Sequence, residues 1–217
     1  MSNNTYSVNG ISEGLSSLER ILAYAVGEEK SRACVDKLLR RYGSFATVSA
    51  AGEEEICRIG DVNKSTALLI KLTAYLHSRR ITERFTFDAE HTELELREYI
   101  TALFGGISVE TVYALLLDDK GRVIHTEFLG EGTVSTSDIV PRKILECANR
   151  KHSKRVILAH NHPKGSTAPS KDDMMTTGRL FTILASVGVC LQAHYIVADG
   201  EIGKIDMDML YDPKFMG

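Results

Sequence analysis

An α/β fold preceded by a small all-helical segment is what this sequence predicts, and three features predict it. Apolar residues recur at helical spacing from Leu15 to about Arg84, a capping-box signature opens a helix at Thr92, and strand-like and helical runs alternate from there on.

The helical part is punctuated. Series such as Leu15, Leu18, Leu22 and Ala25, or Leu68, Leu69, Leu72 and Leu76, give apolar faces, and breaks fall at Gly27 to Lys30, Gly43 and Ser44, and Gly60 to Asn63. Four or five short helices over residues 1–85 follow from that spacing. The polar run Ile81 to His91 carries little to bury and is the expected linker to a second domain over 90–217.

In the second part, Thr92 with Glu95 three residues on can satisfy two orphan amides of a first helical turn, and Gly105 and Gly106 stop that helix. Val112 to Leu117 and Val123 to Leu129 read as a β-hairpin around Asp118, Asp119, Lys120 and Gly121. Pro141 suits the first turn of the next helix, which has Ile144, Leu145 and Ala148 on its apolar side. Arg155 to Ala159 reads as a buried strand, Lys171 to Ser186 as a helix, and Cys190 to Val197 and Ile202 to Ile205 as two last strands.

Composition sets further bounds. With 43% hydrophobic and 25% charged residues, 217 residues can bury a core without staples. Cys34, Cys57, Cys147 and Cys190 stand alone, with no Cys-x-x-Cys pair, so disulfides are not expected and a reducing cytoplasm fits. Cys147 and Cys190 read as core residues, and His125 and His194 as structural or exposed strand residues. No apolar run reaches the length of a membrane span, and no export signal is read in the first residues. Net charge is −3, divided as +2 up to residue 85 and −5 after it, which is not the basic surplus that phosphate contacts demand.

Chemistry concentrates in one stretch after the buried strand, His160-Asn-His162-Pro-Lys-Gly-Ser-Thr-Ala-Pro-Ser170-Lys-Asp-Asp173. Residues two apart on an extended chain point to one side, so His160 and His162 can present both imidazoles to one ion while Asn161 points away. Pro163, Gly165 and Pro169 turn the chain back, and a helix starting at Ser170 carries Asp173 in its first turn. Two nitrogens and one oxygen leave a fourth position for water, as a catalytic zinc requires. Glu110, at the head of the first strand of this part, can act as general base, and Ser170 can donate a hydrogen bond to an oxyanion.

His160, His162, Ser170 and Asp173 fit the pattern His-x-His-x7-Ser-x2-Asp, with Glu110 heading an upstream strand, and together they resemble the JAMM (MPN-plus) metalloprotease signature. The fuller run Ala-His-Asn-His-Pro-x-Gly with Pro-Ser-x-x-Asp, preceded by Pro-Arg-Lys-Ile-Leu at 141–145, resembles the bacterial RadC family within that group, over about residues 90–206. The resemblance implies a deaminase-like mixed sheet flanked by helices, zinc on the two histidines and the aspartate, and Glu110 as base. It also implies a helix-hairpin-helix in the helical part. There the sequence reads Ile59-Gly60-Asp61-Val62-Asn63-Lys64, with Asn63 in place of a second glycine and an added charge at Asp61. Ala193 stands where the family commonly has an aspartate ahead of the histidine now numbered 194.

Two functions follow as expectations. One is a zinc-dependent hydrolase of peptide or isopeptide bonds, with a peptide or protein substrate. The other is a DNA-repair-associated accessory protein whose metal site is structural or vestigial, with weak DNA binding by the helical part. That part has no chemistry of its own and suits partner recognition or self-association into a homo-oligomer.

Overall fold

The computed structural model describes residues 18–132, 139–163, 165–205 and 207, so Leu15 and the outer limits of both expected domains lie outside the described residues. The helical part contains α1 (18–26), α2 (Glu28–Tyr42), α3 (Phe45–Ala50), α4 (Glu53–Gly60) and α5 (Lys64–Arg84). Leu18, Leu22, Val35, Leu38, Val48, Ile56, Ala67 and Ile70 close one hydrophobic cluster among them. Asn63 caps α5 by accepting the Thr66 amide at 2.9 Å, and Asp61 takes the left-handed conformation in the α4–α5 hairpin turn.

Two expectations need correction here. The face of α5 that packs inward is Thr66, Ala67 and Ile70, whereas Leu68, Leu72 and Leu76 are 55%, 45% and 57% exposed. Leucine spacing marked the helix correctly but not its buried side, because α3 and α4 lie against the side that carries Thr66, Ala67 and Ile70. The expected linker is also shorter and less idle than its composition suggested. Ile81 to Arg84 complete α5, and Phe85 stacks between His91 and Tyr99, with ring centroids 4.0 and 3.9 Å away.

The second part is a five-stranded mixed sheet in the order β2-β1-β3-β4-β5. Its elements are α6 (Glu93–Leu103), β1 (Thr111–Leu117), β2 (Val123–Glu131), α7 (Ile139–Lys151), β3 (Arg155–Asn161), α8 (Lys171–Ser186), β4 (Cys190–Ala198) and β5 (Glu201–Lys204). β3 and β4 are parallel, and the other neighbouring pairs are antiparallel. The parallel pair is the one joined through a helix, as the crossover requires.

Both faces of the sheet are covered, which is why β1 and β3 read as nearly continuous apolar runs. Val112, Ala114, Leu116, Val156 and Leu158 pack against Ile144 and Ala148 of α7 and Leu180 and Leu184 of α8. Leu115, Leu117, Ile157 and Ala159 face the other way, toward Tyr99, Ile100 and Phe104 on or beside α6. The period of two therefore sends His160 to the α7/α8 side and Asn161 to the α6 side. Cys147 is buried as expected, but Cys190 is exposed, because it opens β4 at the rim of the sheet.

Candidate metal centre

Three donors meet where β3 ends and α8 begins. His160 is the last α8-facing residue of β3, and the His162 amide donates to the Val197 carbonyl at 2.8 Å, so strand pairing continues one residue further. A tight turn follows, in which the Gly165 amide bonds the His162 carbonyl. The loop ends in a capping box: Ser170 Oγ accepts the Asp173 amide at 3.1 Å, while Asp173 Oδ2 accepts the Ser170 amide at 2.7 Å. The cap that starts α8 is thus also what aims Asp173 at the histidines.

The separations are short. His160 Nε2 lies 2.9 Å from His162 Nε2 and 3.2 Å from Asp173 Oδ1, and His162 Nε2 lies 3.3 Å from Asp173 Oδ2. Zinc–nitrogen and zinc–oxygen bonds of ordinary length in a tetrahedron put neighbouring ligands about 3.3 to 3.5 Å apart. The donor set therefore fits one zinc ion within a few tenths of an ångström.

Hydrogen bonds behind the rings decide which nitrogen carries the proton. His162 Nδ1 faces the Ser166 carbonyl at 2.8 Å, an acceptor, so Nδ1 donates and Nε2 keeps its lone pair. For His160 the path is longer. Thr177 donates its hydroxyl proton to the Asp173 carbonyl at 2.5 Å, so its oxygen must accept from His194 Nδ1 at 2.6 Å. His194 Nε2 is then the acceptor for His160 Nδ1–H at 2.8 Å, which leaves the lone pair of His160 Nε2 aimed at the site. Burial, reinforced by the charge His160 would carry, holds His194 well below the usual histidine range, so it has the single proton this relay needs.

Asp173 completes the electrostatics. Burial raises its carboxyl, but the adjoining His160 ring and the hydrogen bonds from the Ser170 hydroxyl and amide outweigh burial and hold it well below the usual carboxylate range. Two imidazole lone pairs and an ionised carboxylate then converge on one point, an arrangement that a shared proton or a cation must satisfy.

Glu110 lies just before β1. Val112 pairs with His160, so Glu110 sits two residues ahead of the position in β1 that adjoins His160. Its backbone is clamped. Asn161 Oδ1 accepts the Thr111 amide at 2.7 Å, Asn161 Nδ2 donates to the Val109 carbonyl at 3.1 Å, and the Glu110 carbonyl accepts the Gly132 amide at 2.8 Å. The residue between the two histidines thus fixes the segment that carries Glu110. Ser170, expected as an oxyanion donor, gives its proton to Asp173 Oδ2 at 2.6 Å in this structure.

Sequence reasoning did not assign His194, Thr177 or Asn161 to the site. His194 is only 3% exposed and touches His160 directly. β4 runs parallel to β3, and beyond the register shift that follows Leu191 the even-numbered residues His194 and Ile196 face α8. The same parity settles position 193, because Ala193 packs in the α6-side cluster, and a side chain there points away from the histidines.

Fold and site together define a JAB-type α/β domain. A family model, the RadC-like JAB domain, matches residues 91–205, and the chain belongs to the RadC family. It is similar to a UPF0758 protein of Vibrio cholerae serotype O1 (strain M66-2), 32% identical over 171 residues, 78% of this chain and 76% of that protein. UPF0758 proteins of Vibrio atlanticus (strain LGP32) and Aliivibrio fischeri (strain ATCC 700601 / ES114) are 30% and 31% identical, over 77% of this chain and 75% of each relative. No helix among the described residues is long and apolar enough to cross a membrane.

Proposed function

We propose that this protein is a zinc-dependent hydrolase of amide or isopeptide bonds, acting on a peptide or protein substrate. The observation that carries the reading is the convergence of His160 Nε2, His162 Nε2 and Asp173 on one point, with the other histidine nitrogens committed as donors behind them. Held by these three residues, zinc would supply Lewis-acid polarisation of the attacked carbonyl and acidification of a water. Glu110 is the group that takes the proton from the attacking water and returns it to the leaving nitrogen. Asn161 keeps the Glu110 backbone in register with the ligand strand. Ser170 turns its hydroxyl from Asp173 toward the developing oxyanion.

Metal analysis with a substrate screen tests this. The purified chain should hold about one zinc, absent from Asp173→Ala, and Glu110→Gln should keep the zinc and lose hydrolysis of peptide or isopeptide substrates. A chain that stays metal-free after refolding with zinc would sink the reading.

A second reading, a DNA-associated accessory protein with a structural metal, is favoured by one observation, the hairpin that α4 and α5 form around Asp61 and Asn63. The acid in that turn opposes it: the Asp61 side chain is 85% exposed and pairs loosely with Lys37 at 3.7 Å. Fluorescence anisotropy with duplex DNA separates the readings, since phosphate contacts would appear as affinity that falls steeply with salt.

A further inference from the structure

A second convergence of donors lies on the far edge of the sheet. His125 and Glu127 are two apart on edge strand β2, and α7 packs Cys147 and Arg150 against them. His125 Nε2 is 3.0 Å from Glu127 Oε2, Cys147 Sγ is 3.2 Å from the same oxygen, and all three donor atoms lie within 4.8 Å of one another. Zinc bonds to nitrogen, oxygen and sulfur in a tetrahedron put the ligands about 3.3 to 3.6 Å apart, so small side-chain adjustments suffice.

We propose that His125 Nε2, Glu127 Oε2 and Cys147 Sγ form a second site, for one zinc-class cation, that ties edge strand β2 to α7 and that Arg150 vacates on binding. The ligand chemistry selects the ion class, because thiolate with imidazole suits zinc or cobalt and not calcium or magnesium. Charge balance agrees: one thiolate and one carboxylate neutralise a dication, with the imidazole neutral. Arg150 now supplies the positive charge, reaching both Glu127 Oε2 and Cys147 Sγ at 3.3 Å, a long approach for a guanidinium to a carboxylate. Its side chain is largely exposed and can swing into solvent. Burial and the neighbouring carboxylate push the Cys147 thiol up, so it is a protonated donor to Glu127 before binding. On binding, the thiol proton passes to solvent as the sulfur takes the cation. Nothing in this site depends on the function proposed for His160, His162 and Asp173.

Cobalt(II) titration of the full chain tests it. A thiolate-to-cobalt charge-transfer band in the near ultraviolet reports a sulfur ligand, and the β3–α8 cluster contains none. The band should saturate at one thiolate site per chain, vanish in Cys147→Ser and in His125→Ala, and appear at lower cobalt concentration in Arg150→Ala, which lacks the competing cation. Circular dichroism confirms that each variant is folded. Absence of the band in the unaltered chain, or its persistence in folded Cys147→Ser, would overturn the proposal.

Discussion

Thr177 has one proton to give, and the Asp173 carbonyl takes it, so its oxygen is left to accept from His194. Thr177→Val removes that acceptor and frees His194 to place its proton toward His160, which would then turn a protonated Nε2 to the site. Zinc affinity, read by competition with a chromophoric chelator, should fall about 10- to 100-fold in this variant. Thr177→Ser keeps the hydroxyl and should bind as the unaltered chain does; equal weakening in both would mean that the effect is packing. Asn161 makes a different prediction. Asn161→Ala leaves the Thr111 amide unpaired in the interior, so it should lower unfolding free energy by about 1 to 3 kcal/mol in urea while zinc content holds.

At the scale of elements, α6 and the site loop each rest on one local device. Thr92 and Glu95 form a reciprocal capping box, and hydrogen bonds from the Thr92 amide and hydroxyl lower the Glu95 carboxyl below its usual range. A depressed carboxylate stabilises the fold above its unfolded pKa, and this contribution is lost as pH falls through the folded value. Thr92→Ala should therefore lower the melting temperature near neutral pH. The gap to the unaltered chain should narrow in acid, as measured by thermal melts across pH. Gly203 on β5 is held by close approach: a Cβ there would lie 2.8 Å from the Thr167 carbonyl oxygen and side chain. Gly203→Ala should push the loop between His162 and Ser170 and weaken zinc binding, with the far-ultraviolet dichroism unchanged. Local signals of this kind were legible in sequence. The capping boxes, the turn at Gly121 and the helix Lys171–Ser186 are each set by neighbours a few residues away. The buried side of α5 was not legible, because leucines line the side that α3 and α4 leave open.

For the whole molecule, the apolar clusters close without His160, His162 or Asp173. Leu115, Ile157, Leu158 and Leu184 pack the two faces of the sheet, and the helical part has its own cluster from Leu18 to Ile70. Chelation should therefore leave secondary structure intact, and added zinc should raise the melting temperature by mass action on the folded state alone. Unfolding on chelation would instead mark the metal as structural, as in a zinc finger, and favour the accessory-protein reading.

The sequence by itself determined the order and nature of the elements and marked His160, His162 and Asp173 as the candidate donor trio, because hydrophobic period, caps and the His-x-His…Ser-x-x-Asp spacing are local properties of the chain. Only the tertiary structure decided what stands behind that trio. His194 is 34 residues from His160 and reaches it because β3 and β4 pair in parallel, and Asn161 lies 50 residues from the Thr111 amide it holds. The same holds for Phe85 and Cys190, whose burial depends on which surface arrives from elsewhere in the fold. Distance along the chain carries no record of such contacts, which exist only once the sheet has closed.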